Sequence, residues 1–299
     1  MKVLITGALG MIGRSLTEYL GQAGHELRLM DIGDPASVPI SSPWIYPPVR
    51  KALKLDWPFL RGDIANPEIV AEAVRDVDAI VHLGGIPHGN PAEGVNIFRT
   101  NALGTFILFD EARKAGVRRV IAASSVNAFG TFYWRLNEKP ALYARLPLDE
   151  SVEPVPDDPY SLSKLVNEET CAAFHRSYGI TTAALRFTGV WTDEVYQRVR
   201  EDHSPTLHWD KDLFSWVHIC DVVEGITLAL EASDLPGYGA YTICASDTSR
   251  LEPTMELLER FRPDLLSVLT RPLQGRESLL SNKKAHQTFG YTPRYRLTD

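Results

Sequence analysis

Tyr160 and Lys164 stand four residues apart in DDPYSLSKLVNE, residues 157–168. On a helix that spacing puts both side chains on one face. A cation beside a phenol favours the phenolate, and a phenolate can take the proton of an alcohol. The same spacing also fits a surface helix with an aromatic side chain and a snorkelling lysine, so the pair needs support from elsewhere in the chain. TGALGMIG, residues 6–13, supplies it. Glycines at 7, 10 and 13 allow a tight turn, the close approach of a pyrophosphate, and helix-on-strand packing. Met11 and Ile12 begin the helix whose free N–H groups and positive dipole end meet the phosphates. Asp31 lies 24 residues past Gly7, where a ribose-binding carboxylate falls. It accepts from ribose hydroxyls and repels a 2′-phosphate, which favours NAD over NADP. Arg50, Lys51 and Lys54 are the cations that could oppose this preference.

These groups need a scaffold. Short apolar runs at KVLIT, ELRLMD, AIVHLGG, RRVIAASS and TAALRFTGV alternate with helical spacing over MIGRSLTEYLGQAG, AEAVRDV, NALGTFILFDEARKAG and YSLSKLVNEETCAAFHRSYG. Strands that are apolar throughout and alternate with helices predict a Rossmann-type, doubly wound parallel α/β sheet. Gly24, Gly116 and Gly179 sit where helices end. The proline-rich residues 33–58 read as a loop, and residues 126–158 as a second long connection of the kind that carries function. The expected division is a dinucleotide-binding domain over 1–188 and a small C-terminal substrate lobe over 189–299, part of which returns to the sheet.

Composition narrows the partners. The 299 residues carry a net charge of −7, with 44% hydrophobic and 23% charged residues. An acidic chain argues against nucleic acid or an anionic membrane. Three scattered cysteines, Cys171, Cys220 and Cys244, form no C-x-x-C pair, so neither a disulfide framework nor a metal site is expected. The N-terminal apolar run lacks a signal-peptide cleavage site, and no run approaches the ~18 apolar residues that cross a bilayer. The expectation is a soluble, cytoplasmic protein.

With these motifs in order, the chain resembles the extended short-chain dehydrogenase/reductases of the NAD-dependent epimerase/dehydratase type. Gly62-Asp63-Ile64 resembles the family's G-D motif, whose aspartate meets adenine. His82-Leu83-Gly84-Gly85 resembles H-L-A-A, and Asn101 sits in the family's N-x-x-G-T. Ala123-Ser124-Ser125 with Phe129-Gly130 resembles S-S-S-x-x-V-Y-G, Trp216–Asp221 resembles V-H-x-x-D, and Ser281–Pro293 resembles the closing S-x-x-K-A-x-x-x-x-G-Y-x-P. The resemblance implies NAD as cofactor, held by Gly7, Gly10, Met11, Ile12, Gly13, Asp31, Asp63, Ile64, Leu83, Gly84, Gly85, Asn101, Tyr160 and Lys164. It makes Tyr160 the catalytic acid/base, with an apparent pKa well below that of free tyrosine because Lys164 and the nicotinamide favour the anion. Ser125 holds the substrate oxygen while Ser124 is structural. Asn101 reads equally as a proton relay or a helix-bridging amide, and His218 as an organiser of its own segment.

Only 31 residues separate Arg186 from His218, short for a nucleotide-sugar site. H-L-G-G-I and A-S-S-x-x-x-x-G resemble the uronate dehydrogenases, although Asn127 stands where these have histidine and Pro87 where they have serine. Candidate substrate contacts are Pro87, Ser125, Asn127, Thr188 and Arg198, with Arg198 and Arg200 reading equally as a solvated helix face. The implied activity is an NAD-dependent dehydrogenase for a small sugar or sugar acid. A nucleotide-sugar 4-epimerase or dehydratase and a catalytically silent NAD sensor are the alternatives. The resemblance also implies a homodimer formed by the Tyr160 helix and the helix after Asn101, which carry Phe106, Leu108, Phe109, Leu165, Cys171 and Phe174.

Overall fold

A computed structural model describes residues 1–39 and 50–297. Its strands, in chain order, are β1 (Lys2–Thr6), β2 (Glu26–Asp31), β3 (Val38–Pro39), β4 (Arg50–Lys51), β5 (Phe59–Arg61), β6 (Ala79–His82), β7 (Arg119–Ser125), β8 (Thr181–Phe187), β9 (Gly189–Trp191), β10 (Trp216–His218) and β11 (Tyr238–Ile243). The helices are α1 (Met11–Gln22), α2 (Pro67–Ala73), α3 (Gly94–Phe98), α4 (Gly104–Lys114), α5 (Pro159–Tyr178), α6 (Asp193–Glu201), α7 (Ile219–Glu231), α8 (Thr254–Phe261) and α9 (Lys283–Phe289).

Seven strands form one parallel sheet in the order β11-β8-β7-β6-β1-β2-β5. Successive β1 residues alternate between its faces. Val3 and Ile5 pack with Leu16 and Leu20 of α1 and with Val222, Ile226 and Leu230 of α7. Leu4 packs on the other side with Val70 of α2, Leu108 and Phe109 of α4, and Cys171 and Phe174 of α5. Because both faces are covered, the central strands β1 and β6 are buried almost end to end, while β2 and β5 toward the sheet edge carry exposed Glu26 and Arg61. From β1 the chain builds outward to β2 and β5, then returns to β6 and builds the other way. The carboxyl ends of β1 and β6 therefore border a switch-point crevice, the place where open α/β sheets bind ligands. Gly24, Gly116 and Gly179 have φ of +84°, +78° and +69° and close α1, α4 and α5 in the left-handed conformation.

Two readings need correction. The 33–58 connection is not wholly irregular: Pro35–Ser37 forms a short 3₁₀ turn, and Val38 and Pro39 pair antiparallel with Lys51 and Arg50. Pro43, Pro47 and Pro48 lie outside the described residues. The helix expected over AEAVRDV sits earlier, at Pro67–Ala73. Asn66 accepts from the Glu68 and Ile69 N–H groups and Pro67 occupies the first turn, which starts the helix before the apolar spacing would.

Residues 126–148 pack with distant C-terminal residues: Phe129, Phe132, Tyr143, Leu146 and Leu148 share a cluster with Leu258, Leu265, Leu273 and Leu280. α7 and β11 meanwhile return to the central sheet. No helix among the described residues is long and apolar enough to cross a membrane.

Candidate active site

The turn after β1 has no room for side chains. Gly7 has φ +70°, and a Cβ there would lie 2.7 Å from the Gly84 nitrogen and the Leu83 carbonyl carbon. A Cβ on Gly13 would lie 2.2 Å from the Gly7 oxygen. Gly10 is the N-cap of α1, with no side-chain cap and no acidic residue in the first turn. The amides of Met11, Ile12 and Gly13 thus face no competing side chain of their own helix end, which suits a pyrophosphate.

Asp31 ends β2, and its two oxygens are aimed by backbone: Oδ2 accepts from the Leu9 N–H at 2.9 Å and Oδ1 from the Gly33 N–H at 2.8 Å. Each oxygen keeps capacity for a ribose hydroxyl. Arg14 lies alongside, donating to the carbonyls of Leu9 and Pro39. Of the cations expected in the loop, Arg50 donates to the Ser37 carbonyl and Lys54 pairs with Asp56 at 3.3 Å. Asp63 accepts from the Ala65 N–H at 2.9 Å and from Arg99 Nη1 at 2.8 Å. Ile64 packs against Gly104, where a Cβ would come within 2.6 Å of it. These residues fit a dinucleotide lying across the ends of β1, β2 and β6.

α5 places the acid/base pair. Asp158 caps it, accepting from the Tyr160 and Ser161 N–H groups at 2.9 Å each, and Pro159 sets its first turn. Tyr160 and Lys164 are both buried, with the ammonium 5.6 Å from the phenol ring centre. Lys164 Nζ donates to the Ala123 carbonyl at 3.0 Å and lies beside Gly85, where a Cβ would be 3.8 Å away. Ser125, the last residue of β7, faces the phenol and works to lower its pKa. Ser124 does not join them: its hydroxyl donates to Glu168 Oε1 at 2.6 Å.

The expected depression of the phenol pKa is reversed in the free protein. Burial pushes Tyr160 up to about 12, while the Ser125 hydrogen bond works against the rise and the Asp158 carboxylate adds to it. Against an ordinary 10.0, this disfavours the phenolate by about 3 kcal/mol. Burial also brings Lys164 down to about 8, opposed by Glu168. Desolvation dominates while the ammonium is engaged by the Ala123 carbonyl, 5.6 Å from the ring centre.

Three supporting groups lay outside the motif pattern or had no assigned partner. His82 spans the sheet end, with Nδ1 2.7 Å from Thr6 Oγ1 and Nε2 2.9 Å from Thr105 Oγ1. Burial, with Lys164 adding to it, lowers its pKa to about 3, so it is a neutral strut. Asn101 is fully buried. It accepts from the Ile86 N–H at 2.7 Å and donates to the Ile86 carbonyl and to Ser163 Oγ, both at 3.0 Å. Its amide clamps the strand-end loop to α5, a bridging geometry. Glu168 pairs with buried Arg186 through two bonds of 2.8 and 2.7 Å, beneath Ser124. Polar residues at period-breaking positions inside apolar elements were the available signal.

The expected substrate residues divide. Asn127 lies against Ser125, with its backbone N–H and Nδ2 each 3.1 Å from Oγ. Pro87 is exposed on the loop after β6. Thr188 is buried just past β8, and its hydroxyl has no hydrogen-bond partner among the described residues. Arg198 is on α6, and no hydrogen bond or ion pair among the described residues joins it to Ser125, Tyr160 or Lys164. Its neighbour Arg200 lies over the Tyr196 ring at 5.5 Å. His218 stacks on Tyr295 at 3.5 Å and accepts from the Cys220 N–H, while Asp221 accepts from the N–H groups of Arg294 and Tyr295. That motif tethers the C-terminal segment.

This chain is similar to known proteins. A uronate dehydrogenase of Pseudomonas syringae pv. tomato is 33% identical over 198 residues, 66% of this chain and 62% of that protein. The alignment thus spans about three-fifths of the relative's length. A UDP-glucose 4-epimerase of Lactobacillus helveticus is 25% identical over 213 residues, 70% of this chain and 57% of that one. The solved structure of a mutated uronate dehydrogenase superposes with a TM-score of 0.66 at 25% identity, covering 99% of this chain and 82% of that one. The model of the NAD dependent epimerase/dehydratase family matches residues 3–244, which include the glycine turn, Asp31, Ser125, Tyr160 and Lys164. With its sheet order, crevice and matched span in agreement, this chain belongs to the NAD-dependent epimerase/dehydratase family.

Proposed function

We propose that this protein is an NAD-dependent dehydrogenase that oxidises one hydroxyl carbon of a sugar or sugar acid, and can reduce it in reverse. The observation that carries the proposal is the convergence of the Ser125 hydroxyl and the Tyr160 phenol beside Lys164 at the mouth of the switch-point crevice. When bound, NAD supplies the hydride acceptor. Tyr160 takes the substrate's hydroxyl proton as the neighbouring C–H electron pair leaves. Ser125 orients the substrate oxygen against the phenol. Lys164 would hold positive charge beside the phenol and would hold the nicotinamide ribose, and Asp31 would hold the adenosine ribose. The short segment between Arg186 and His218, and the uronate dehydrogenase likeness, favour an unactivated sugar acid over a nucleotide sugar. Thr188 and the loop at Pro87 border the substrate, with Arg198 as the candidate for its carboxylate.

The test is NADH formation over uronates, aldoses and polyols, with UDP-sugars alongside. Net NADH from a uronate or aldose supports the proposal. A UDP-sugar interconverted with no net NADH would instead establish the 4-epimerase reading, which the Lactobacillus likeness favours. NAD binding without turnover of any hydroxyl compound would leave a sensor.

Cofactor choice follows Asp31. NAD is expected to bind at least about 10-fold tighter than NADP, and Asp31→Ala to narrow the gap, because a carboxylate beside a 2′-phosphate is a like-charge contact. Fluorescence titration checks this; equal affinities in the unmodified protein would make Arg14 and Lys51 phosphate ligands instead.

A homodimer through α4 and α5 is also proposed. Leu108, Phe109, Cys171 and Phe174 are core residues, whereas Leu103, Phe106, Leu162 and Tyr178 are exposed. Phe106, 51% exposed, leans on Phe174 with ring centres 5.4 Å apart. Sedimentation is expected to show a dimer that Phe106→Glu converts to monomer; a monomeric unmodified protein at micromolar concentration would count against it. Its free cysteines suit a reducing cytoplasm.

A further inference from the structure

A serine hydroxyl next to a phenol can act in two opposite ways. If it accepts the phenol's proton, it holds the phenol neutral; if it donates, it favours the phenolate. Ser125 has one O–H and two lone pairs to distribute. Its Oγ accepts from the Asn127 backbone N–H at 3.1 Å and from Asn127 Nδ2 at 3.1 Å. The Asn127 amide is oriented from its far end, where Oδ1 accepts from the Trp134 N–H at 3.5 Å. A backbone N–H can meet only an acceptor, so the amide oxygen faces Trp134 and the NH₂ group faces the serine.

The chain between them is held in place. Gly130 turns it at φ +77°, and a Cβ there would lie 2.2 Å from the Val155 carbonyl. The Gly130 N–H donates to the Asn127 carbonyl at 2.8 Å and closes that turn, and the Val155 N–H donates to the Phe129 carbonyl at 2.9 Å beside it. With both lone pairs used, the Ser125 proton is turned away from Asn127 and is free to point toward the phenol, whose pKa Ser125 works to lower.

We propose that Asn127 is a positioning residue that makes Ser125 an obligate hydrogen-bond donor to the oxygen at which Tyr160 exchanges its proton. The proposal rests on the dehydrogenase reading for its consequence: during oxidation Ser125 donates first to the phenolate and then to the substrate oxygen as the C–H bond breaks. The polarity of Ser125 itself does not depend on that reading.

Neutron diffraction from the deuterated protein tests the polarity directly. The Ser125 deuteron is expected on the Tyr160 side, with two deuterons of the Asn127 amide nitrogen resolved and one of them facing Oγ. A Ser125 hydroxyl deuteron directed at Asn127, or an amide oxygen facing the serine, would overturn the proposal whether or not the protein is a dehydrogenase. Kinetics tests the consequence. Asn127→Asp keeps the shape but turns the donor into an acceptor that captures the serine proton. Its kcat should fall about 10²-fold, as when one positioned donor is lost at a reacting oxygen. Its alkaline rise should move to higher pH, with NAD affinity and melting temperature unchanged. Since Asn127 acts through Ser125, the double variant Ser125→Ala/Asn127→Asp should be no slower than Ser125→Ala alone. Near-normal kcat in Asn127→Asp, or losses that multiply in the double variant, would sink the role in catalysis. An unmodified protein that oxidises nothing would refute the proposed function while the deuteron position stood.

Discussion

Tyr160→Phe is expected to lower NADH formation on the true substrate by about 10³-fold or more, while NAD binds almost as before. Losing a general base costs about 10²- to 10⁴-fold, and on the proposed reading the same hydroxyl also positions the substrate oxygen. Phenylalanine keeps the ring that packs beside Lys164, so the loss belongs to the oxygen and not to the fold. The pH dependence follows from the same burial. Because burial lifts the phenol to about 12 in the free protein, the active phenolate grows as pH rises. Oxidation should therefore climb with pH through the alkaline range. Ser125→Ala removes a bond that lowers the phenol pKa, so it should displace that rise to higher pH as well as slow the reaction. Stopped-flow rates across pH check both; a Tyr160→Phe variant of near-normal rate would remove Tyr160 from the chemistry.

Glu168→Ala is expected to be the most destabilising single change near the site. Glu168 and Arg186 are both almost wholly buried and joined by two hydrogen bonds. Deleting the carboxylate leaves a guanidinium uncompensated in the core and also strands the Ser124 hydroxyl. Breaking a buried pair from one side costs about 3–5 kcal/mol, enough to lower the melting temperature by on the order of 10 °C. Removing both charges as Glu168→Leu/Arg186→Met should recover much of that loss, because no unpaired charge remains. Calorimetry distinguishes the two: a double variant as unstable as the single would mean that the charges matter less here than the packing around Phe129, over which Arg186 lies at 4.2 Å.

Much of this molecule is legible as local pattern. The turn of Gly7, Gly10 and Gly13 needs φ above zero or a Cβ-free approach, and those needs are written in residue type. The strand that leads into it reads as a nearly unbroken apolar run because helices cover both faces. The Tyr160–Lys164 spacing works because a helix repeats every 3.6 residues. Long-range packing settled what spacing leaves open. Ser124 and Ser125 are adjacent and alike in sequence. They separate only because strand pleating turns one toward Glu168, 44 residues away, and the other toward Tyr160. Phe106 and Phe109 read alike, yet the sheet covers one and leaves the other exposed. In the free protein the phenol's pKa lies above its ordinary value because desolvation sums over every neighbour, whereas sequence names only the nearest charge. Asn127 acquires its bearing on Ser125 from the Trp134 N–H, which arrives only after the chain has turned at Gly130 against Val155. Periodicity and residue type specify which groups can act; burial and contacts between distant segments specify which way each one faces and in what protonation state.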